Sequence, residues 1–292
     1  MKQPIDWLDL WRELVETRTW HGHDEKSKTD HWRARAQEFD ANVKQRWARA
    51  DSSRTWVLDL LAAHPGATVL DIGAGTGKWA ILLARHARQV TALEPSPAMR
   101  EFLRANLAAE QVANVAIVPG AWPHVEVAPH DFALCSHAMY GSPDFATFIQ
   151  RMQAVTRHTC ILLMRAPTPD GIMAEASRHI YGHPYDSANF QVGVNALWQM
   201  GIFPHVHMED TGLWRPWVSA SLADALADLK RKLGVSDTAA YDDFLRALLH
   251  RRLTFTDGQY VWPPGVRTAL LFWRVPATDH ASATATLHAD RL

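Results

Sequence analysis

Three features of this 292-residue sequence predict an α/β fold with a doubly wound, mostly parallel sheet. Between residues 65 and 166, five short apolar runs alternate with segments whose apolar residues recur at helical spacing. Glycine and proline mark several of the boundaries between them. The hydrophobic content of 47% is enough to bury both faces of a sheet in a chain of this length. Strands and helices that alternate in this way form parallel sheets covered by helices.

Three helical segments precede the alternating region. Trp7, Leu10, Trp11 and Leu14 recur at helical spacing, and a second helical region extends to about residue 49. A third, WVLDLLAA, ends at the turn signal Pro65-Gly66. We therefore expect residues 1–64 to form an N-terminal helical cover.

The alternating region begins directly after this turn. The predicted strands are ATVLDIG, QVTALEP, VAIVPG, DFALCSH and TCILLMRA. The helix after the second strand has Ser96 as its N-cap and Pro97 in its first turn, and Ser142-Pro143 opens the helix after the fourth. Five strands that alternate with helices imply a doubly wound parallel sheet.

The regular alternation of predicted strands and helices ends after residue 166. Helices are predicted near residues 174–179, 190–200, 221–233 and 239–251, with strands FPHVHMED and TALLFWRV and a hairpin turn at Asp257-Gly258. We interpret residues 167–187 and 212–255 as helical insertions. The tail 276–292, rich in Ala, Thr, Ser and His, is predicted to be disordered.

Composition narrows the class of protein. The 30 basic and 31 acidic residues nearly cancel, and no Lys/Arg run exceeds Arg251-Arg252, so a polyanion-binding surface has no support. No stretch approaches 18 consecutive apolar residues. Cys135 and Cys160 lie in predicted interior strands and are expected to be buried, reduced thiols. These features favour a soluble, cytoplasmic protein.

The stretch VLDIGAGTGK places three glycines between a strand and a helix. A dinucleotide-binding fold needs a glycine at the sixth position of G-x-G-x-x-G, counted from Gly73, but that position is Lys78. The pattern is instead Asp71-x-Gly73-x-Gly75-x-Gly77. A glycine turn that serves only chain reversal is the alternative to a ligand site.

The end of the next strand supports a ligand site. Glu94 follows Asp71 by 23 residues, at a point where an acid can accept both hydroxyls of a ribose. With these two features the chain resembles the class I S-adenosylmethionine-dependent methyltransferases, whose first motif is (D/E)-x-G-x-G-x-G and which carry an acid after the second strand.

The resemblance implies a seven-stranded sheet within a domain at 65–275, in which TALLFWRV is an antiparallel strand between two others. It also implies S-adenosylmethionine as the cofactor. The residues expected to bind it are Asp71, Gly73, Ala74, Gly75, Thr76, Gly77, Glu94, Pro95, Ala121, Trp122 and Ser136.

One segment departs from the family pattern. After the third strand the family often has an acid that contacts the adenine amino group, whereas this chain reads Gly120-Ala121-Trp122-Pro123. We hypothesise that backbone groups hold the adenine here and that it stacks on Trp122.

The segment after the fourth strand is where a methyl acceptor is expected. It lacks the (D/N)-P-P-(Y/F) motif of DNA amine methyltransferases and the Asp of metal-dependent catechol-type enzymes. His137 is the candidate general base or acceptor-orienting group, with a structural role as the alternative, and Tyr140 is a candidate wall or hydrogen-bond partner. Further candidates in the insertions are Tyr181, His183, Trp214 and Trp217.

The sequence His205-x-His207-x-Glu209 could converge on a metal ion, because alternate residues of a strand share a face. We expect instead a solvated edge strand, and no bound metal.

The predicted function is therefore transfer of a methyl group from S-adenosylmethionine to a small molecule by in-line displacement. The alternatives are a methyltransferase that acts on protein or RNA, and a cofactor-binding protein without transferase activity. DNA and membranes are not expected partners, and the oligomeric state is open.

Overall fold

The computed structural model describes residues 4–17, 30, 32–209 and 214–276. Ten strands occur in this part of the chain: β1 (Thr68–Ile72), β2 (Gln89–Glu94), β3 (Val115–Pro119), β4 (His130–Ser136), β5 (Thr156–Pro167), β6 (His205–Met208), β7 (Val218–Ser219), β8 (Thr254–Thr256), β9 (Gln259–Val261) and β10 (Val266–Arg274). The helices are α1 (Trp7–Thr17), α2 (Ala36–Trp47), α3 (Ser52–Ala62), α4 (Lys78–Ala84), α5 (Pro97–Ala109), α6 (Phe145–Ala154), α7 (Ile172–Tyr181), α8 (Phe190–Gln199), α9 (Leu222–Leu233) and α10 (Asp242–Arg252).

Seven strands form the main sheet, in the order β3-β2-β1-β4-β5-β10-β6. Strands β1 to β5 are parallel, and β10 pairs antiparallel with both β5 and β6. The prediction of a doubly wound, mostly parallel sheet with one antiparallel strand is confirmed. From β1 the strand order runs to β2 and β3 on one side and to β4 and β5 on the other. The cleft of such a fold lies at this switch point, above the carboxyl ends of β1 and β4.

Both faces of the sheet are covered, because successive side chains of a strand point to opposite sides. In β1, Leu70 and Ile72 join a core formed with α1, α6 and α8, whereas Val69 joins a core formed with α3, α4 and α5. All five residues of β1 are buried as a result. The continuous apolar run in its sequence is thus explained by burial on two sides.

The N-terminal helices are more than a cover. Trp11 of α1 is completely buried, and its indole N–H donates to the Ser142 carbonyl at 2.9 Å. Val57 and Leu61 of α3 belong to the core on the opposite face. Helix α2 contacts α4 and α5 at the carboxyl edge of the sheet, where Phe39 lies beside Gly75.

The predicted helix starts are confirmed at one place and shifted at another. Ser96 caps α5 by accepting from the Met99 N–H at 3.1 Å. The N-cap of α6 is Asp144 rather than the Ser142-Pro143 pair, because its carboxylate accepts from the Thr147 N–H at 2.9 Å. Such a bond satisfies one of the otherwise unpaired donors of the first turn.

A second, smaller body is built from the insertions. Helices α7, α9 and α10 share their own apolar cluster with Trp262, and β7, β8 and β9 form a three-stranded antiparallel sheet beside them. The predicted hairpin turn joins β8 to β9, with positive φ at Asp257 and Gly258. Glu175 of α7 pairs with Arg251 and with Arg252 (2.9 Å) of α10, which ties the two helices together.

The remaining predictions concern cysteines, membranes and the tail. Cys135 and Cys160 are free and buried, and burial raises the pKa of each thiol to about 12. No helix in the described ranges is long and apolar enough to cross a membrane. The disordered tail remains a prediction, since residues 277–292 lie outside the described part of the chain.

Candidate functional site

The glycine turn between β1 and α4 has left-handed backbone at all three glycines, with φ of 73°, 56° and 93°. A Cβ atom on Gly73 would approach the Cβ of Ala138 to 2.2 Å, and one on Gly77 would approach a methyl group of Leu103 equally closely. A Cβ on Gly75 would meet only Phe39, at an ordinary 3.7 Å. The outer glycines thus serve the protein's own packing, while the middle one faces the space above the sheet.

The backbone N–H groups of the turn donate hydrogen bonds to acceptors within the protein. Those of Gly73 and Ala74 donate to the Leu93 carbonyl at 2.8 and 3.0 Å, and that of Gly77 donates to the Ala74 carbonyl at 2.9 Å. The Gly75 N–H donates to the Glu94 carboxylate at 2.8 Å. These four donors are therefore not directed at an anion, in contrast to the turns that cradle phosphates.

Glu94 ends β2 beside this turn. One carboxylate oxygen accepts from Gly75 and the other accepts from the Ser96 N–H at 2.9 Å, so each retains a second lone pair. Two vicinal hydroxyls of a ribose match that remaining capacity. Burial raises the pKa of Glu94.

Asp71 lies at the end of β1 and is almost fully buried. Burial and the nearby charge of Glu94 raise the pKa of Asp71 to about 7. Its Oδ2 atom has no hydrogen-bond partner among the described residues. A ligand that brings hydroxyl donors and a positive charge to this turn fits its two carboxyls, and S-adenosylmethionine has both.

The segment after β3 lies beside Glu94, because Pro119 pairs with Glu94 and the Gly120 N–H donates to the Glu94 carbonyl at 3.4 Å. Pro95 and Ala121 are exposed at this edge. Trp122 is only 9% exposed, and its indole N–H donates to the Phe148 carbonyl at 3.1 Å. The stacking hypothesis for Trp122 is therefore corrected: its ring packs in the core.

Two other residues predicted to bind the cofactor are Thr76, within the turn, and Ser136, at the end of β4. Thr76 is buried, and its carbonyl accepts from the Asn106 side-chain amide at 2.8 Å. Asn106 also donates to Asp40 of α2 at 2.9 Å, so α2 is tied to the turn. Ser136 is half-buried at the end of β4.

His137 follows β4 in a left-handed conformation, with φ of 58°. Its Nδ1 lies 3.2 Å from the Tyr140 hydroxyl, which accepts from the Arg165 N–H at 2.5 Å. Because the described residues offer no other acceptor for the Tyr140 hydroxyl proton, we assign that proton to Nδ1 and the ring proton to Nε2.

The electrostatic surroundings keep this imidazole neutral. Burial, followed by the charges of Arg46 and Arg165, lowers the pKa of His137 to about 3. A weak base whose Nδ1 is already engaged is poorly suited to proton abstraction. The geometry favours the orienting role of His137, through its Nε2–H, over the general-base role. Tyr140 acts as its hydrogen-bond partner.

Aromatic rings continue from His137 towards the second body. The Trp214 ring meets His137 edge-on with centroids 5.3 Å apart, and its N–H donates to the Thr268 hydroxyl at 3.2 Å. The guanidinium of Arg46 lies 5.4 Å from the centre of the same ring. A cavity extends from there between the main sheet and the second body. Its lining includes Arg165, Asp186, Trp214, Trp217, Trp262 and Pro263.

Two residues predicted for the site have other partners. The Tyr181 hydroxyl donates to the Leu233 carbonyl at 2.5 Å, and the His183 ring stacks 6.0 Å from the ring of Tyr181. Both therefore contribute to packing around the second body.

The His205-x-His207-x-Glu209 segment holds a helix end and is not a bare solvated edge. Glu209 is buried and accepts from the backbone N–H groups of Ser52 and Ser53, each at 3.1 Å. The Ser52 hydroxyl lies 2.8 Å from His207 Nε2. The carboxylate caps α3, because the first N–H groups of a helix have no partner within it. Within the described ranges, no cluster of three or more His, Cys, Asp or Glu could hold a metal.

Sequence reasoning missed the charged residues around His137. Arg165 is a buried guanidinium whose Nη2 lies 3.4 Å from the buried carboxylate of Asp186. A charged residue inside the apolar run TCILLMRA was a usable signal, because charges are almost never fully buried without a partner. Arg46 carries no such signal, since it is one of several charges on an exposed helix face.

Residues 69–159 match the family model described as a methyltransferase domain. A protein-L-isoaspartate O-methyltransferase of Methylorubrum extorquens is 42% identical over 85 residues, which are 28% of this chain and 36% of the relative. A probable ribosomal RNA small subunit methyltransferase A of Methanosphaera stadtmanae is 28% identical over 80 residues, which are 27% of this chain and 30% of the relative. The chain thus spans about a third of the length of these relatives.

Two solved structures show the same fold over a larger part of the chain. The YcgJ protein of Bacillus subtilis superposes with a TM-score of 0.50 at 16% identity, covering 76% of this chain and 96% of its own. The BH2331 protein of Bacillus halodurans C-125 superposes with a TM-score of 0.52 at 16% identity, covering 77% and 99%.

Proposed function

We propose that this protein transfers a methyl group from S-adenosylmethionine to a small molecule by in-line displacement, because residues 69–159 match a methyltransferase domain. The observation that carries the proposal is an aromatic cavity lined by Trp214, Trp217 and Trp262, in which the Trp214 ring also meets His137 edge-on. In this proposal residues 65–275 form the catalytic unit, with residues 1–64 and the insertions enclosing its cleft.

S-adenosylmethionine, when bound, supplies a methyl group on a positively charged sulfur. The protein's task is to align an acceptor with that carbon and to exclude water. Glu94 and the glycine turn fix the donor end, while the Nε2–H of His137 orients the acceptor. Trp214 and Arg165 form the wall behind the acceptor. The acceptor's lone pair forms the new bond to carbon as the carbon–sulfur pair returns to sulfur.

A protein or RNA acceptor is the second candidate. The names of the two relatives above favour it, but their matches cover only 28% and 27% of this chain. The aromatic cavity lies outside the matched domain, because Trp214, Trp217 and Trp262 all follow residue 159. The cavity favours a small, flat acceptor.

The first experiment is a calorimetric titration with S-adenosylmethionine and S-adenosylhomocysteine, with NAD as the control. Binding of the first two and not of NAD supports the donor assignment, and binding of none contradicts it. Turnover is then measured against a small-molecule panel, an isoaspartyl peptide and ribosomal RNA. Methylation of only the peptide or RNA contradicts the small-molecule acceptor, and binding without any turnover favours a cofactor-binding protein.

The variant Glu94→Ala tests, in the same titration, whether Glu94 holds the ribose. Because it removes two hydrogen bonds to a carboxylate, we expect the affinity for S-adenosylhomocysteine to fall by about 1.5–3 kcal/mol. Glu101→Ala, an exposed position on α5, is the matched control and should leave the affinity unchanged. Equal affinities of the two variants would mean that Glu94 does not hold the ribose.

A further inference from the structure

We propose that the methyl acceptor carries a carboxylate and that Arg46 binds this carboxylate against the indole of Trp214. The inference rests on the proposed function and names the acceptor class of the same site.

The first observation is the position of Arg46 near the end of α2. Its guanidinium lies over the Trp214 ring at 5.4 Å, which is the distance of a cation–π contact. The side chain is exposed, yet the protein around it lowers its pKa, an effect that the charge of Asp51 partly offsets. The guanidinium is therefore accessible from the solvent. No hydrogen bond or ion pair in the described part of the chain engages this guanidinium.

The second observation is the distance of this pair from the ribose site. The Trp214 indole bridges Thr268 on β10 and His137 after β4, so it lies over β5. Three inter-strand spacings of about 4.8 Å place β5 roughly 14 Å from β2, where Glu94 is. The indole therefore lies three strands away from the ribose site, on the His137 side of the cleft.

The third observation is the charge of the acceptor side. Burial first, and then the positive charges of Arg46 and Arg165, lower the pKa of His137, so that its ring is neutral and presents its Nε2–H as a donor. Lys232, whose ammonium lies 3.5 Å from the centre of the Trp217 ring, adds a positive charge near the far wall of the cavity. Asp186 is the buried carboxylate of the cavity lining and faces Arg165. This balance attracts an anion and repels an amine.

All three observations point to an acceptor that joins a carboxylate to a flat aromatic group. A guanidinium binds a carboxylate through two parallel N–H donors, while flat apolar walls suit an aromatic body attached to it.

The test uses matched pairs of small probes on the full-length protein saturated with S-adenosylhomocysteine. Benzoate is compared with benzamide, and indole-3-acetate with indole-3-acetamide, by calorimetry. We expect each carboxylate to bind about tenfold or more tightly than its amide in the natural protein. Arg46→Gln should abolish this preference and Arg46→Lys should retain part of it. Arg49→Gln, an exposed position just beyond the same helix, should behave like the natural protein.

Three results would overturn the proposal. One is equal binding, or no binding, of carboxylates and amides at millimolar concentration. Another is a preference that survives in Arg46→Gln. The third is a loss of affinity of Arg46→Gln for S-adenosylhomocysteine without a loss for 5′-methylthioadenosine, which lacks the amino-acid part, because Arg46 would then hold the cofactor's carboxylate. Failure of the proposed function is distinguishable, since it appears as absent S-adenosylhomocysteine binding in the natural protein.

Discussion

The proposed donor side of the cleft and its proposed acceptor side are assembled in different ways. The donor side, from Asp71 to Glu94, is one continuous strand–turn–helix–strand unit of the chain. The acceptor side draws Arg46 from α2, His137 from the end of β4, Arg165 from β5 and Trp214 from the segment after β6. The comparison teaches that a short stretch of sequence can specify the methyl donor, whereas the acceptor requires the whole fold.

The two sides also differ in the groups that they offer. The donor side is mostly backbone, with glycines that fit against Ala138 and Leu103 and N–H groups already paired. The acceptor side is made of aromatic and charged side chains around a buried ion pair. The domain match covers residues 69–159 and so lies largely on the donor side. Proteins that use the same methyl donor but different acceptors would resemble one another in this part of the chain and differ in the rest.

The largest expected effect is on the donor side, from Gly75→Val. The branched side chain fills the space above the turn and is strained at a φ of 56°, so binding of S-adenosylhomocysteine should be lost entirely. Gly201→Val carries similar backbone strain at a φ of 75° with nothing within 4 Å, and it should bind normally. Calorimetry of both variants, with circular dichroism to confirm folding, checks this. Retained binding by Gly75→Val would refute the assignment of the turn.

An intermediate effect is expected on the acceptor side, from Asp186→Ala. This change leaves the buried guanidinium of Arg165 without its carboxylate, which should lower the free energy of unfolding by about 3 kcal/mol. Asp170→Ala, an exposed position of the same segment, should be neutral. Urea denaturation of the two variants measures the difference. Equal stability would show that the ion pair does not hold the acceptor side together.

The smallest effect is expected where α3 meets the end of β6. Burial, then hydrogen bonding with Glu209 and its charge, raises the pKa of Asp51 from 3.8 to about 6. The folded state therefore holds a proton more tightly than the unfolded state. The stability that it contributes is present below about pH 4 and is lost as the pH rises towards 6.

Asp51→Asn should remove this dependence while keeping an acceptor for the helix cap. The full shift would correspond to about 3 kcal/mol, but solvent screens the half-buried Asp51 carboxyl, so we expect the free energies of unfolding of the natural protein and of the variant to diverge by about 1 kcal/mol across that interval. Urea denaturation at a series of pH values measures the effect, with Asp59→Asn on the same helix as the control. Parallel profiles for all three proteins would mean that Asp51 titrates normally.

Much of the main sheet could be predicted because its signals are local. The apolar runs of β1, β4 and β5 are continuous since both faces of those strands are buried, and the Ser96 cap lies next to the turn that it closes. Trp122 was misjudged for a related reason. Its position after β3 predicted nearness to the adenine, but the direction of its indole depends on Phe148, which is 26 residues away.

The His205-x-His207-x-Glu209 segment could not be interpreted from its own residues. Glu209 is buried because the N-terminus of α3, 156 residues earlier at Ser53, presents N–H groups to it. A strand pattern shows which face a side chain takes and says nothing of what lies opposite that face.

The sequence by itself determined the α/β class, the strand–turn–helix geometry at Gly73–Gly77 and the acid at Glu94, because each depends on neighbours within one or two elements. Tertiary structure decided which nitrogen of His137 carries its proton, why Glu209 is buried, and that Arg46 stands over Trp214. The physical reason is the range of the interactions. Backbone conformation is set by adjacent residues, whereas desolvation, charge and hydrogen-bond direction depend on every group that folding brings near.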